Sequence, residues 1–327
     1  MKFYYQLLIV CIVFVACSKK SDTGAEGGNW GEQPALPTIT GQANFTVSDD
    51  EYYINVMGNT IPRMPNFPSL GIKKGFARGY VADLNGKPLK GAHIGVRSTY
   101  IGGGYSSNTG TTNDNGYYEF AIPMGGASFF GTATTIDYNG TRAVVALYPE
   151  GGINAFASTD GIVKNFVLLS YGTANPDEVT QQPGNESNYY GGALYFDFNV
   201  NYPSGYQFPE YLPHNGVIEI ELSPTKPGLY GETKSFKITR QIGNNSSFSI
   251  QNIPIGKYAI NAKLSDGRQL NMKAVGPVAN VYPNLGLKKD GAADGWTVTF
   301  TPNYQTTPVM VPAFKSNWDA LSIELSL

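Results

Sequence analysis

Residues 111–123 read TTNDNGYYEFAIP, and residues 79–96 read GYVADLNGKPLKGAHIGV. Each holds a short apolar or aromatic run next to an Asn-Gly pair, Asn85-Gly86 and Asn115-Gly116, a dipeptide suited to the positive φ angles of tight turns. Tyr118 and Phe120 are two apart and so share one face of a strand, the face expected to meet a core. The same pattern continues down the chain in VIEIEL (217–222), FSI (248–250), YAINAKL (258–264) and WTVTF (296–300). Such alternation sets one face on a core and the other in water. With 39 Gly, 21 Pro and 22 Tyr in 327 residues and no long stretch at helical spacing, the expected fold is all-β. Two antiparallel β-sandwiches fit the length.

The pattern Gly79, Val81, Asn85, Gly86, Pro88, Leu89, Gly91, Ala92, Val96, followed by Thr112, Asp114, Gly116, Tyr118, Phe120 and Pro123, resembles the carboxypeptidase regulatory-like domain. That resemblance covers residues 75–171 and implies a transthyretin-like sandwich of about seven strands, a module common in cell-surface and outer-membrane proteins. It implies no catalysis, because the family is named for a domain appended to a peptidase. After Pro123 the chain departs from the family pattern, with a stretched, Gly-rich MGGASFFGTATTIDYNG.

The second half, residues 193–327, repeats this scheme in outline. SSFSIQNIPIGKYAINA (246–262) places an alternating strand before Ile253-Pro254 and a glycine, as YYEFAIPMGG does at 117–126. A second sandwich, transthyretin-like or Ig-like as the resemblance of the first half implies, is the expectation here. Residues 172–192, without periodicity and with two prolines, are read as a linker between the halves. Residues 41–74 are read as an irregular extension packed on the first domain, with a hairpin around Asp49 and Asp50; the prolines of IPRMPNFPSL bar it from a central strand.

At the other end, residues 1–16 carry a single charge, Lys2, and the apolar run LLIVCIVFVA before Cys17 and polar SKK. Ten apolar residues are too few to span a bilayer and fit a secretory signal. FVAC resembles the lipobox of bacterial lipoproteins, with Phe14 where Leu is usual; this implies acylation of Cys17 by diacylglycerol and palmitate and a membrane partner through the acyl chains. Ser18 after the cysteine is not the aspartate of inner-membrane retention, so the outer membrane is the expected address, its face undecided. Residues 17–40, polar and Gly/Pro-rich, are read as a flexible tether. Cys11 departs with the signal and Cys17 is consumed, which leaves no disulfide.

Removal of Lys2 takes the formal charge from −2 to −3, and only 15% of residues are charged, so nothing attracts nucleic acid. The two histidines, His93 and His214, fall in different halves, and no HExxH or CxxC spacing occurs. Asp83 and Asp114 sit in turn sequences without the spacing of a calcium loop. Asp49, Asp50 and Glu51 are the paper candidates for a glycosidase pair but read as a solvated turn. No catalytic residue, metal or cofactor is assigned. Binding is favoured by YPSGYQFPEY (202–211), where Tyr202, Tyr206, Phe208 and Tyr211 alternate with prolines and glycine; Tyr100 and Tyr105 flank a glycine loop in the same way. Such rings either stack on a sugar or protein partner or fold back to cap a sandwich. The expected function is a non-catalytic surface module for adhesion, glycan capture or complex assembly, or else a brace for an outer-membrane protein.

Overall fold

The computed structural model describes residues 28–276, 284–290, 295–303 and 311–327. The signal, Cys17 and the first part of the tether lie outside them. The fold is all-β, and the described residues form four main sheets stacked in pairs and two short two-stranded ladders. The expected alternation is met closely: in the strand Val217–Pro224, Ile218, Ile220 and Leu222 are fully buried. Glu219 and Glu221 face outward, where Lys237 and Lys263 from the flanking strands reach Glu219 at 3.3 and 3.6 Å. Cross-strand charge pairs of this kind add a few tenths of a kcal/mol each, about 0.2–1.

The first pair of sheets is built on residues 76–167. Sheet I runs in the order Phe156–Ala157, Gly126–Tyr138, His93–Thr99, Tyr105–Thr111; sheet II centres on Phe76–Ala82, flanked by Tyr117–Ala121, Ile162–Val163 and Phe166–Val167. The two Asn-Gly turns do not join neighbours in one sheet. Each carries the chain from one sheet to the other, from Phe76–Ala82 to His93–Thr99 and from Tyr105–Thr111 to Tyr117–Ala121. Only the glycine of each pair takes positive φ, 74° at Gly86 and 71° at Gly116. The turns are closed by side chains instead: Asp83 Oδ1 accepts from the N–H of Asn85 and Lys87, and Asn113 Oδ1 from Asn115 and Tyr117. Gly79 is required by close approach, since a Cβ there would lie 1.8 Å from the Lys164 carbonyl.

The second pair comprises sheet III, whose order is Gln42–Val47, Ser235–Gln241, Val217–Pro224, Lys257–Leu264, Trp296–Thr299, Gly286–Lys289, and sheet IV, ordered Tyr53–Asn55, Ser247–Ile253, Gly192–Phe198, Leu321–Ser326, Asn271–Val275. The Ile253-Pro254 turn passes from sheet IV to sheet III just as Ile122-Pro123 passes from sheet II to sheet I. In both places an Ile-Pro turn moves the chain across the sandwich.

Three expectations about the organisation are corrected. Residues 41–74 do not form a hairpin on the first half: Gln42–Val47 and Tyr53–Asn55 join opposite sheets of the second pair, each parallel to its neighbour. Residues 172–192 are not a bare linker. They form the helix Pro176–Gln181, capped by Asn175, and bury Tyr189 and Tyr190. Residues 28–40 do not hang free, because Trp30 packs its ring 5.6 Å from Phe67 and 5.4 Å from Tyr80.

The halves also interleave. Val311–Pro312 pairs with Gly131 and Thr132 of sheet I, and Asn317 exchanges side-chain hydrogen bonds with Val144 and Ala146. One hydrophobic cluster runs through both pairs of sheets, from Ala77 and Phe166 to Ile250 and Leu325. Sequence alternation says which face of a strand is buried and nothing about which sheet receives it, which is why these long-range pairings were not legible.

Candidate functional site

Residues 202–211 connect two short parallel strands, Val200–Asn201 and Leu212–Pro213. Asn201 organises the loop: its Nδ2 donates to the Phe208 carbonyl at 2.7 Å and the Tyr211 carbonyl at 3.3 Å, while its Oδ1 accepts from the Phe208 N–H at 2.8 Å. Gln207 Nε2 closes the tip by donating to the carbonyls of Tyr202 and Gly205. The outcome is a fixed aromatic pair, Phe208 and Tyr211, with ring centroids 4.6 Å apart.

The pair lines a shallow depression of about 410 Å³, shared with Pro213, His214, Arg268 and Leu327. Arg268 is held by Asp266, 2.8 Å from Nη2 and 3.0 Å from Nε, so the guanidinium is positioned while Nη1 stays open. His214 Nδ1 is shielded from solvent and has no hydrogen-bond partner among the described residues, so it faces the interior and not the depression. Apolar ring faces beside a positioned guanidinium offer stacking plus a few directed polar contacts, the chemistry of a binding surface.

The four aromatics expected here serve different ends. Phe208 and Tyr211 line the depression, Tyr206 stands out in solvent at 89% exposure, and Tyr202 turns down, its ring 5.1 Å from His214 and its hydroxyl donating to the Gly243 carbonyl at 3.2 Å. Tyr100 and Tyr105 are elsewhere, on the hairpin between His93–Thr99 and Tyr105–Thr111 in sheet I. Arg97 lies over the Tyr105 ring at 4.6 Å and the Phe130 ring at 5.1 Å.

The sequence reading missed one concavity. A cleft of about 750 Å³ opens beside Trp296, bordered by Glu221, Asn261, Asn271 and Lys289. WTVTF signals burial correctly for Val298 and Phe300, but Trp296 begins its strand at the border of the sheet and is only half-buried. Alternation names the face and not the distance from the sheet's end.

The remaining polar candidates have structural tasks. Glu51 Oε2 accepts from the Ser48 N–H at 2.7 Å, closing the acidic turn, and Asp114 pairs with Lys90. His93 Nδ1 lies 3.5 Å from the Thr111 hydroxyl across one strand pair. Burial, with help from the hydrogen bond to Glu119, pushes the Tyr117 hydroxyl up to about 12. Burial alone would raise Glu119 as well, yet Lys73 and Tyr117 hold its carboxyl below the usual range. Among the described residues no three His, Cys, Asp or Glu side chains gather as a metal-binding group, and no helix is long and apolar enough to cross a membrane.

The fold is therefore that of an all-β protein of stacked sheets with an aromatic surface loop; the sheets are not purely antiparallel as expected, because strands distant in sequence join sheets II, III and IV in parallel. No protein-family model matches the sequence, and neither does any curated protein. Among solved structures the chain is similar to the Bacillus anthracis TIE protein, at 13% identity over 58% of this chain and 28% of that one, with a TM-score of 0.21. It is similar to a streptococcal ancillary pilin at 11% identity, 75% and 62% coverage and a TM-score of 0.22. A third is a bacterial adhesin from Mobiluncus mulieris, at 10% identity, 77% and 98% coverage and a TM-score of 0.25. The chain thus spans less than two thirds of the first two.

Proposed function

We propose that this protein is a non-catalytic lipoprotein of the outer membrane, held there by acyl chains on Cys17, and that its stacked β-sandwiches present residues 202–211 to a glycan. The observation that carries the reading is the Phe208–Tyr211 pair, locked by Asn201 beside the positioned guanidinium of Arg268. A sugar ring offers C–H groups to the ring faces and hydroxyls to Arg268 Nη1. The resemblance of residues 75–171 to carboxypeptidase regulatory-like domains supports a surface module without chemistry of its own.

The test is a glycan array probed with the mature acylated protein in detergent, beside a Phe208→Ala/Tyr211→Ala variant. Binding that disappears in the variant at unchanged melting temperature supports the reading. Absence of any bound glycan, with one membrane protein recovered in stoichiometric amount, replaces it by the brace. Incorporation of labelled palmitate, lost in Cys17→Ser, checks the anchor separately.

A further inference from the structure

Of the eleven large apolar side chains exposed among the described residues, five belong to one end of the first pair of sheets: Ile72, Tyr100, Ile101, Tyr105 and Met124. The backbone brings them together. Thr99 pairs with both Tyr105 and Gly126, the Ile122 N–H donates to the Gly75 carbonyl, and a Cβ on Gly125 would lie 2.4 Å from the Thr99 carbonyl. The tip itself is a built turn. The Tyr100 N–H donates to the Gly104 carbonyl at 2.7 Å, and Gly102 and Gly103 take φ of 105° and 92°, which leaves Ile101 wholly exposed at the apex.

The charge at this end is positive. Lys73, Lys74, Arg78 and Arg97 stand against Glu119 and Asp160, four cations to two carboxylates, and Glu119 is already taken by Lys73 and Arg78. Arg97 faces rings and Lys74 has no ion-pair partner among the described residues. Aliphatic side chains at an apex, tyrosines behind them and unpaired cations around the rim match the layers of an anionic bilayer surface, from acyl boundary to headgroup.

The course of the chain points the same way. Gln33 exchanges hydrogen bonds with Asn66, while Gly28 packs against Pro68, so the described chain begins on the Ile72 side of that contact. Eleven chain steps lead from Cys17 to Gly28 and span at most about 40 Å. Four lead from Pro68 to Ile72, at most about 14 Å.

We infer that this apolar, cationic end of the first sandwich docks on the lipid bilayer that holds the acylated Cys17, so that the body lies against the membrane with Ile101 and Met124 in the acyl boundary. The inference rests on the anchor reading above. The several acyl chains on Cys17 already hold the protein at the bilayer, so this end would fix how the body lies against the membrane and not whether it is attached.

The test uses the full acylated chain in vesicles of phosphatidylcholine and phosphatidylglycerol. With Cys11 removed and Cys17 acylated, a cysteine introduced by Ile101→Cys is the single free thiol and takes an environment-sensitive dye; Tyr206→Cys serves as the control. Emission at 101 should shift to the blue and be quenched severalfold by lipid-borne nitroxide, with neither change at 206. Water-like emission at both positions, in protein that floats with the vesicles, overturns the docking and leaves the anchor intact. Protein that fails to float sinks the anchor; the Ile101→Cys chain that also carries Cys11→Ser and Cys17→Ser is then labelled and mixed with vesicles from outside, where a shift at 101 upholds the docking and its absence overturns it. A shift produced only by membranes containing protein, never by pure lipid, also overturns it.

Discussion

Arg240 Nη2 donates to the backbone carbonyl of Asp49 at 3.1 Å, fastening the turn after the first strand to the body of sheet III. The same guanidinium donates to the carbonyls of Ser48 and Gln241, and the side chain is fully buried. Burial lowers its pKa, opposed by the nearby Asp49, Glu51 and Asp50. The acidic turn is thus the counter-charge of a structural clamp, which explains three carboxylates in a row without any reaction.

Arg240→Ala strips these carbonyls of their donor. Hydrogen bonds from charged donors are worth roughly 1.5–3 kcal/mol each, and relaxation of the exposed turn recovers part of that. The expected loss is about 2–3 kcal/mol, read from urea unfolding with an unchanged slope. Loss of stability below about 0.5 kcal/mol would show that the clamp is ornamental.

Tyr138 joins the halves. Its hydroxyl donates to the Gly256 carbonyl at 3.0 Å and accepts from the Phe300 N–H at 3.1 Å, and its ring lies 5.2 Å from Trp318. Tyr138→Phe leaves the buried Phe300 N–H and the half-buried Gly256 carbonyl without this partner, at a cost of about 1–3 kcal/mol. Because the core is shared, wild type and variant should each unfold in one transition, with near-ultraviolet dichroism and Trp fluorescence coinciding. Two separated transitions would contradict the interleaving.

Trp30 holds residues 28–40 down through Phe67 and Tyr80. No strand depends on it, so Trp30→Ala should act locally. Ring pairs of this kind contribute about 0.5–1.5 kcal/mol beyond area burial, so hydrogen exchange across this segment should quicken on the order of tenfold while the global midpoint moves little. Equal exchange in both proteins would mean that the ring contact contributes nothing.

Much of the fold was legible because its signals are local. VIEIEL, FSI and YAINAKL fix which side chains are buried, and the two Ile-Pro turns mark where the chain crosses a sandwich. What stayed hidden is non-local. QANFTV at 42–47 is as good a strand as any, yet nothing within it says that it lies parallel to Ser235–Gln241, nearly two hundred residues on. The binding loop was legible as a cluster of rings, but Asn201, Arg268 and His214, which give it shape and polarity, arrive from outside the motif. Ile101 and Met124 gave no signal at all, since a lone exposed apolar residue is ordinary until the fold gathers several.

Asp197 supplies a prediction in pH. It lies on Gly192–Phe198 in register with Glu324 of the parallel strand Leu321–Ser326, and Glu324 is paired with Lys273 at 3.5 Å. Burial first, and then the Glu324 charge, raise the Asp197 carboxyl above its ordinary value of 3.8. A carboxyl whose folded pKa is raised favours the fold while protonated; that contribution is complete below 3.8 and is lost as pH climbs through the raised value. At neutral pH the ionised Asp197 therefore works against folding. Asp197→Asn should stabilise the protein at pH 7 by a fraction of ~1 kcal/mol, the scale of like charges on adjacent strands. The gain should shrink as the solution is acidified and vanish below about pH 3.8. Urea midpoints of both proteins across that range measure it, and a variant less stable than wild type at pH 7 would mean that Asp197 makes a favourable contact outweighing its repulsion by Glu324.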